Sequence, residues 1–346
     1  MKSIKIAIVG FGNVGQAFLS HCLAHIARLR DEYDTRLMLV GVADTSGIAV
    51  SAYGLKPKEI LEAKQEGKRL STLDEGMSCT SDSFVWRFKS AGANIIIETL
   101  PSNLEDGQPA YEIIEHAFAE RLHVVSANKG ALVRNLRRLE TAAREEGVGF
   151  AYSAAAGSAL PTIGFGSREL AGAQISEISG VLNTTTNFIL SSMDQGQTYD
   201  EALAEAQRLG MAEPNPAQDV EGRDTAAKLV IITNKLMNAD LGLADVDIKG
   251  IVDLDKTFAI AGAKNARGAV KLVGRALRTD DGIKLSVGPE AVFPENPFFN
   301  IRGASKGITY KTDTLGDFTV IEHESGRSTT AAALYKDLIH ISQNYL

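Results

Sequence analysis

The run Ile4-Lys5-Ile6-Ala7-Ile8-Val9-Gly10-Phe11-Gly12-Asn13-Val14-Gly15 decides the fold. Its first half is short, β-branched and almost continuously apolar, the pattern of a parallel strand buried on both faces. Its second half is a Gly-x-Gly-x-x-Gly turn that follows the strand directly and opens a helix. The first glycine permits the tight turn, the second lets the backbone approach a pyrophosphate, and the third lets helix and strand pack closely. The helix N-terminus adds partial positive charge for the phosphates. Gly10, Phe11, Gly12, Asn13, Val14 and Gly15 are therefore candidate dinucleotide contacts.

Outward from this turn, Phe18, Cys22 and Ile26 recur at four-residue intervals with Leu19, Leu23 and Ala27 beside them, which predicts one helix over 14–30. Leu37 to Val42 is a second strand, and Asp44 stands at its end. A carboxylate there accepts from a ribose 2'-hydroxyl and repels a 2'-phosphate, so NAD is favoured over NADP. No arginine follows, although Thr45 and Ser46 leave room for a phosphate. Ser51 to Thr80 is more polar and reads as an insertion. Asn94 to Thr99 and Leu122 to Ser126 are further strands around a helix at 109–121. This alternation predicts an α/β fold with a Rossmann-type doubly wound parallel sheet. Thr99, Leu100 and Lys129 then lie at the carboxyl edge of the sheet, where such folds bind ligands. A cation at a helix N-terminus is locally unfavourable, which suggests a function for Lys129.

The texture changes after Gly149-Phe150-Ala151-Tyr152, at the small-residue run Ala154 to Ala159. The expected division is a dinucleotide-binding domain at 1–150, an α+β domain at 151–325 and a C-terminal helix at 326–346 that returns to the first domain. Helices are expected at 184–193, 199–209, 222–238, 247–250 and 255–264, with strands at Val270–Ala276 and Ile283–Pro289.

At 346 residues, 44% hydrophobic and 23% charged, the chain has the composition of a soluble globular protein with room for two cores. A net charge of -7 argues against nucleic acid or an anionic membrane as partner. Cys22 and Cys79 lack the spacing of a zinc site, which fits a reducing, cytoplasmic compartment. The N-terminal apolar run is too short to span a bilayer and reads as the first strand of the mature protein.

A second stretch carries chemistry: Gly210-Met211-Ala212-Glu213-Pro214-Asn215-Pro216-Ala217-Gln218-Asp219-Val220-Glu221-Gly222-Arg223-Asp224-Thr225-Ala226-Ala227-Lys228. Pro214 and Pro216 hold their preceding residues out of the α region, so helix begins only around Asp219 to Gly222. Beyond that point Asp224 and Lys228 share one helix face. Such a pair is in many proteins a surface ion pair worth a few tenths of a kcal/mol. With Glu213 on the preceding loop, it is also suited to holding a zwitterionic amino acid and moving a proton for it.

Taken together, these motifs resemble the homoserine dehydrogenase family over nearly the whole chain. The resemblance rests on Gly10 to Gly15, Ala43 to Gly47, Asn103 to Gly107, Val124 to Gly130, Gly180 to Leu190, Ala202 to Gly210 and the segment just quoted. It implies reversible NAD(P)-dependent interconversion of L-homoserine and L-aspartate 4-semialdehyde, on the route to threonine and methionine, by a homodimer built through the second domain. It also implies that Lys228 carries the proton, with Lys129 as a second catalytic lysine beside it near the nicotinamide, while the sheet-edge placement already read puts Thr99 and Leu100 at the nicotinamide ribose. Glu213 and Asp224 would hold the substrate ammonium, Asp219 would orient the lysine or substrate, and Thr185 would contact the substrate. Carbonyls of Ala156, Ser158 and Leu160 are the implied ligands of a monovalent cation.

The chain departs from the family pattern in three places. Thr184 stands where the family commonly has glycine, Ser153 where it has a cation-binding glutamate, and Ser325 to Ala331 where it has a more glycine-rich turn. The chain ends without the regulatory domain of many relatives, so threonine feedback through such a domain is not expected. A related dehydrogenase of another hydroxy amino acid or small aldehyde, and a non-catalytic dinucleotide sensor, are the alternatives.

Overall fold

Ile4, Ile6, Ala7, Ile8 and Val9 are all buried, and the strand that carries them, β1 (Lys2–Val9), lies inside a mixed sheet. The structure, a computed structural model, describes residues 1–77, 84–252, 254, 268–323 and 328–346. Cys79, the expected helix over 255–264 and Ser325-Gly326-Arg327 lie outside the described residues. The chain divides into two units, Met1–Ser158 with Ser328–Leu346, and Ala159–Arg327.

In the first unit β1 is followed by β2 (Thr35–Asp44), β3 (Gly47–Val50), β4 (Gly76–Met77), β5 (Ile95–Glu98), β6 (His123–Ser126) and β7 (Phe150–Ala151), in the spatial order β4-β3-β2-β1-β5-β6-β7. β1 pairs in parallel with both β2 and β5, and β5-β6-β7 continue in parallel. Strand order therefore reverses between β1 and β5, the point where open α/β sheets form a crevice at their carboxyl ends. The polar stretch after β2 is not a simple insertion, because β4 comes from it and extends the sheet through β3 by antiparallel pairing.

The expected single helix over 14–30 is two helices, α1 (Asn13–Ala24) and α2 (Ile26–Tyr33), joined at His25 (φ -112°, ψ 17°). Phe18, Leu19 and Cys22 are buried, but Ile26 is 41% exposed and Leu29 takes over as the buried residue. The apolar stripe thus restarts after the bend. The remaining helices of this stretch are α3 (Pro57–Gln65), α4 (Phe84–Ser90), α5 (Ala110–Ala119), α6 (Lys129–Glu145) and α7 (Ser153–Ala156). The C-terminal helix Thr329–Asn344 buries Ala331, Leu334, Leu338 and Ile341 in the same apolar cluster as Phe18 and Cys22.

The second unit contains α8 (Thr162–Glu169), β8 (Ile175–Val181), α9 (Thr184–Asp194), α10 (Tyr199–Arg208), α11 (Ala217–Val220), α12 (Arg223–Leu236), β9 (Val246–Ile248), β10 (Ala269–Thr279), β11 (Gly282–Val292), β12 (Lys306–Thr312) and β13 (Asp317–Glu322). Its sheet runs β13-β12-β8-β10-β11-β9. The segment expected as a helix at 247–250 instead supplies β9, because Val246, Asp247 and Ile248 pair with Leu285, Ser286 and Val287 of β11. Gly222, at φ +85°, separates α11 from α12 in a left-handed conformation that favours glycine. A Cβ on Gly274 of β10 would meet Thr225 and Leu229, so α12 covers that face of the sheet.

Among the described residues of this unit, one lysine is wholly buried. Lys271 of β10 has no exposed surface, and its ammonium donates to Asn187 Oδ1 at 3.1 Å and to the Ile301 carbonyl at 2.5 Å. Burial, followed by the nearby Arg302 charge, pushes the Lys271 ammonium down to about 8. The unfolded chain keeps this proton to near pH 10.5, whereas the folded chain releases it near pH 8, so stability rises with pH between those values. Urea unfolding of the wild type from pH 7.5 to pH 10 should show this gain, and Lys271→Met should remove it; an equal pH slope in both proteins would contradict the assignment.

Candidate active site

In the first unit the glycine turn has the geometry its spacing implies. Gly10 sits at φ +90°, and a Cβ there would fall 2.6 Å from the Leu100 nitrogen. A Cβ on Gly15 would lie 2.9 Å from the Gly10 carbonyl oxygen and 3.0 Å from Thr99 Oγ1. Around Gly12 there is open space instead. The turn is therefore tight where helix and strand meet and open at Gly12. Gly12 caps α1 without a side-chain hydrogen bond, and the first turn of α1 has no acidic residue to compete with an anion. Thr99 Oγ1 donates to the Gly10 carbonyl at 2.8 Å, so its side chain braces the turn.

Asp44 closes β2, where its carboxylate accepts from the Ser46 hydroxyl at 2.5 Å and the Ser46 backbone N–H at 2.7 Å. Lys64 of α3 reaches the other carboxylate oxygen at 2.6 Å. Asp44 thus comes with its own cation. Two residues carry the pair down to low exposure, 17% for the lysine and 13% for the aspartate.

At the carboxyl end of β5, Glu98 is fully buried and accepts from Ser126 Oγ at 2.5 Å, the Leu100 backbone N–H at 2.9 Å and Asn128 Nδ2 at 3.3 Å. Burial pushes its carboxyl up to about 7 against the pull of those donors. Asn128 caps α6 by accepting from the Ala131 N–H at 3.2 Å, and its amide also donates to the Leu100 carbonyl at 3.2 Å. Lys129 begins α6 next to this network, with its backbone N–H donating to Ser102 Oγ at 3.0 Å.

The second unit joins most of the other predicted residues. Lys228 Nζ donates to Asp224 Oδ2 at 2.6 Å and to the Leu182 carbonyl at 2.9 Å, with both side chains of the ion pair 13% exposed. Asn183 binds the acids together, since its Nδ2 donates to Asp219 Oδ1 at 2.7 Å and to Asp224 Oδ2 at 2.9 Å. Its Oδ1 caps α9 by accepting from the Thr186 N–H at 2.9 Å. Burial first, and Asp224 second, hold the Asp219 carboxyl above the ordinary range, while Asn183, Lys228 and Thr185 pull it back. Thr185 also donates to the Met211 carbonyl at 2.9 Å.

Glu213 is exposed on the loop after α10, where its carbonyl accepts from Gln207 Nε2 at 3.2 Å, and it stands outside the Asn183 network. Ala156 and Ser158 belong to the first unit and Leu160 to the second. Ser158 has φ +56°, and the Leu160 carbonyl accepts from the Thr162 N–H at 2.8 Å. Where the family pattern has a glutamate, the backbone N–H of Ser153 donates to Asp337 Oδ2 at 2.7 Å, a buried carboxylate on the C-terminal helix.

A sequence model of homoserine dehydrogenases matches residues 161–339. The homoserine dehydrogenase of Methanocaldococcus jannaschii is 36% identical over 98% of this chain and 98% of its own length. The chain belongs to the homoserine dehydrogenase family. A relative from Pseudomonas canavaninivorans, an NAD(+)-dependent homoserine dehydrogenase, is 34% identical over 99% of this chain and 97% of its own. The crystal structure of a homoserine dehydrogenase from Thiobacillus denitrificans superposes with a TM-score of 0.81 at 28% identity, covering 99% of this chain and 74% of that one. Homoserine dehydrogenases are NAD(P)-dependent oxidoreductases acting on a CH–OH group, with a general role in threonine and methionine synthesis.

Within this member of the family, the sequence pattern alone does not disclose Asn183 or Lys64. An asparagine before a helix reads as a cap, and the turn that brings it between Asp219 and Asp224 is a tertiary feature. Asn183→Ala should lower unfolding free energy by about 1–2 kcal/mol at pH 7, from the lost cap and amide bridge. Because burial and Asp224 already hold the Asp219 carboxyl above the ordinary range, the two acids without their amide bridge repel most when both are ionised, so the loss should shrink as pH falls to 5. Urea unfolding at both pH values checks this; a pH-independent loss would assign the effect to the cap alone.

Proposed function

We propose that the chain interconverts L-homoserine and L-aspartate 4-semialdehyde, with Lys228 as the proton carrier. The observation that carries this reading is the low-exposure Lys228–Asp224 pair, held by the Leu182 carbonyl and bridged to Asp219 by Asn183. An ammonium has three protons to donate. Two go to Asp224 and Leu182, which leaves one for a substrate oxygen.

In the direction of oxidation, neutral Lys228 accepts the proton of the substrate hydroxyl. In reduction the Lys228 ammonium polarises the aldehyde and gives its proton to the new alkoxide. Asp224 and Glu213 are acceptors for the substrate ammonium, and Asp219 orients the substrate through the same network. The glycine turn from Gly10 to Gly15, Asp44, Thr99 and Leu100 suit a dinucleotide, with Lys129 near its nicotinamide. The dinucleotide supplies the hydride acceptor or donor when bound. Ala156, Ser158 and Leu160 offer carbonyls to a monovalent cation. A cytoplasmic homodimer built through the second unit completes the reading, and no helix among the described residues is long and apolar enough to cross a membrane.

The purified protein should oxidise L-homoserine with NAD or NADP at neutral to alkaline pH, and Lys228→Ala should lose turnover by roughly 10²-fold or more with little change in cofactor affinity. Absence of homoserine oxidation with both cofactors would overturn the reading, and a substrate panel would then test another hydroxy amino acid, as Thr184 motivates.

For the cofactor we infer a preference for NAD, because Asp44 keeps an acceptor at the ribose end. Lys64 moderates that preference by neutralising the carboxylate. Lys64→Ala should therefore raise the NAD/NADP ratio of kcat/KM by about tenfold, equivalent to ~1.4 kcal/mol. An unchanged or lower ratio would remove the Asp44–Lys64 pair from cofactor choice.

A further inference from the structure

A second lysine–carboxylate pair lies on the same sheet face as the first. Lys306 begins β12 and Glu322 ends β13, opposite one another in the antiparallel register. Lys306 Nζ is 3.1 Å from Glu322 Oε2, and the side chains are 4% and 13% exposed. Next along the sheet, Gly307 pairs with Val181 and Ile308 with Gly180, so Lys306 comes level with Leu182. Residues directly opposed in a sheet share a face, and alternate residues return to it. Gly180 also opposes Gly274, the position whose added Cβ would meet α12. The Lys306–Glu322 pair therefore occupies the face that α12 covers, beside the residue whose carbonyl accepts a hydrogen bond from Lys228.

Packing does not explain two charges at this place, since an apolar pair of similar size would avoid their desolvation cost. Electrostatics gives them a role. Burial first, and the Lys228 charge second, hold the Lys306 ammonium below the ordinary lysine range, while Glu322 and Asp224 draw it back. Lys306 is thus within electrostatic reach of both members of the first pair. Among the described residues, the charges that act on it include Glu322 from β13 and Lys228 and Asp224 from α12, while Asp219 of α11 is joined to Asp224 through Asn183. Asn183 and the Leu182 carbonyl contribute uncharged partners.

We propose that Lys306 and Glu322 are positioning residues for Lys228: the Lys306 ammonium opposes a proton held on Lys228, and Glu322 attenuates that opposition, so the pair sets the field in which the substrate proton is taken up and released. The proposal rests on Lys228 being the proton carrier. Unlike a purely structural ion pair, it assigns opposite effects to its two members. Removing Glu322 leaves the repulsion unattenuated, and removing Lys306 replaces it with an added negative charge.

The test compares full-length wild type, Glu322→Gln, Lys306→Met and the double variant, which folds even where a lone buried Glu322 would not. Lysines carry a 13C label at Cε, and the Lys228 resonance, assigned by its loss in Lys228→Arg, is titrated by NMR beside the pH profile of kcat for homoserine oxidation. Glu322→Gln should move the Lys228 titration and the rising limb of kcat to lower pH by roughly half to one unit. Lys306→Met should move both to higher pH, and the double variant should return towards wild type. Unmoved midpoints, or shifts of the same sign in Glu322→Gln and Lys306→Met, would overturn the proposal. Opposed NMR shifts in a protein that does not oxidise homoserine would support the field of the pair and refute the substrate reading instead.

Discussion

The second unit is organised around one carboxylate oxygen, Asp224 Oδ2, which accepts from both Lys228 and Asn183. A lysine and an aspartate four residues apart on a helix interact weakly when both are in water. Here both side chains are largely withdrawn from it, so their charges need defined partners. The Leu182 carbonyl and the Asn183 amide supply them, and both lie at the junction of β8 and α9. That requirement ties α12 to the sheet and to α9 at one place. Gly222 sets the direction in which α12 leaves α11, and Gly274 lets it approach the sheet.

The first unit meets a similar constraint at the edge of its sheet. Glu98 is wholly buried, so its oxygens need donors, and these come from the end of β6 and from the loops that follow β5 and β6. Asn128 is shared between that acid and the start of α6. The backbone of Lys129 is consequently held by the cap and by the hydrogen bond to Ser102. Thr99 acts in the same way on the other side, linking the β5 loop to the glycine turn. Rigid placement of a binding edge by several elements is what preorganised chemistry requires.

Much of this was legible in the sequence because periodicity and turn chemistry report local backbone. The apolar run at Ile4 to Val9, the three glycines after it and the helical spacing of Asp224 and Lys228 all express themselves within a few residues. The misreadings have the same origin. The stripe through Phe18, Cys22 and Ile26 reads as one helix, since the bend at His25 depends on what the helix packs against. Val246 to Ile248 is too short for its period to distinguish strand from helix, and only its pairing with β11 decides it. The segment after β2 looked dispensable because the two-residue strand β4 has no period at all.

Partners were less legible than positions. Asp44 is visible at the end of its strand, but Lys64, which neutralises it, arrives from α3. Asn183 looks like an ordinary helix cap until Asp219 and Asp224 fold onto its amide. At Ser153 the expected glutamate is missing, yet Asp337 brings a buried carboxylate to the backbone of that residue from the C-terminal helix. In each case one member of the interaction is visible locally and its partner is distant in sequence. Burial makes that compensation obligatory, because an unpaired ion in a low-dielectric interior costs far more than a surface pair gains. A charge predicted to be buried is thus a demand for a partner, and the identity of that partner is set by which strands and helices the rest of the fold brings alongside.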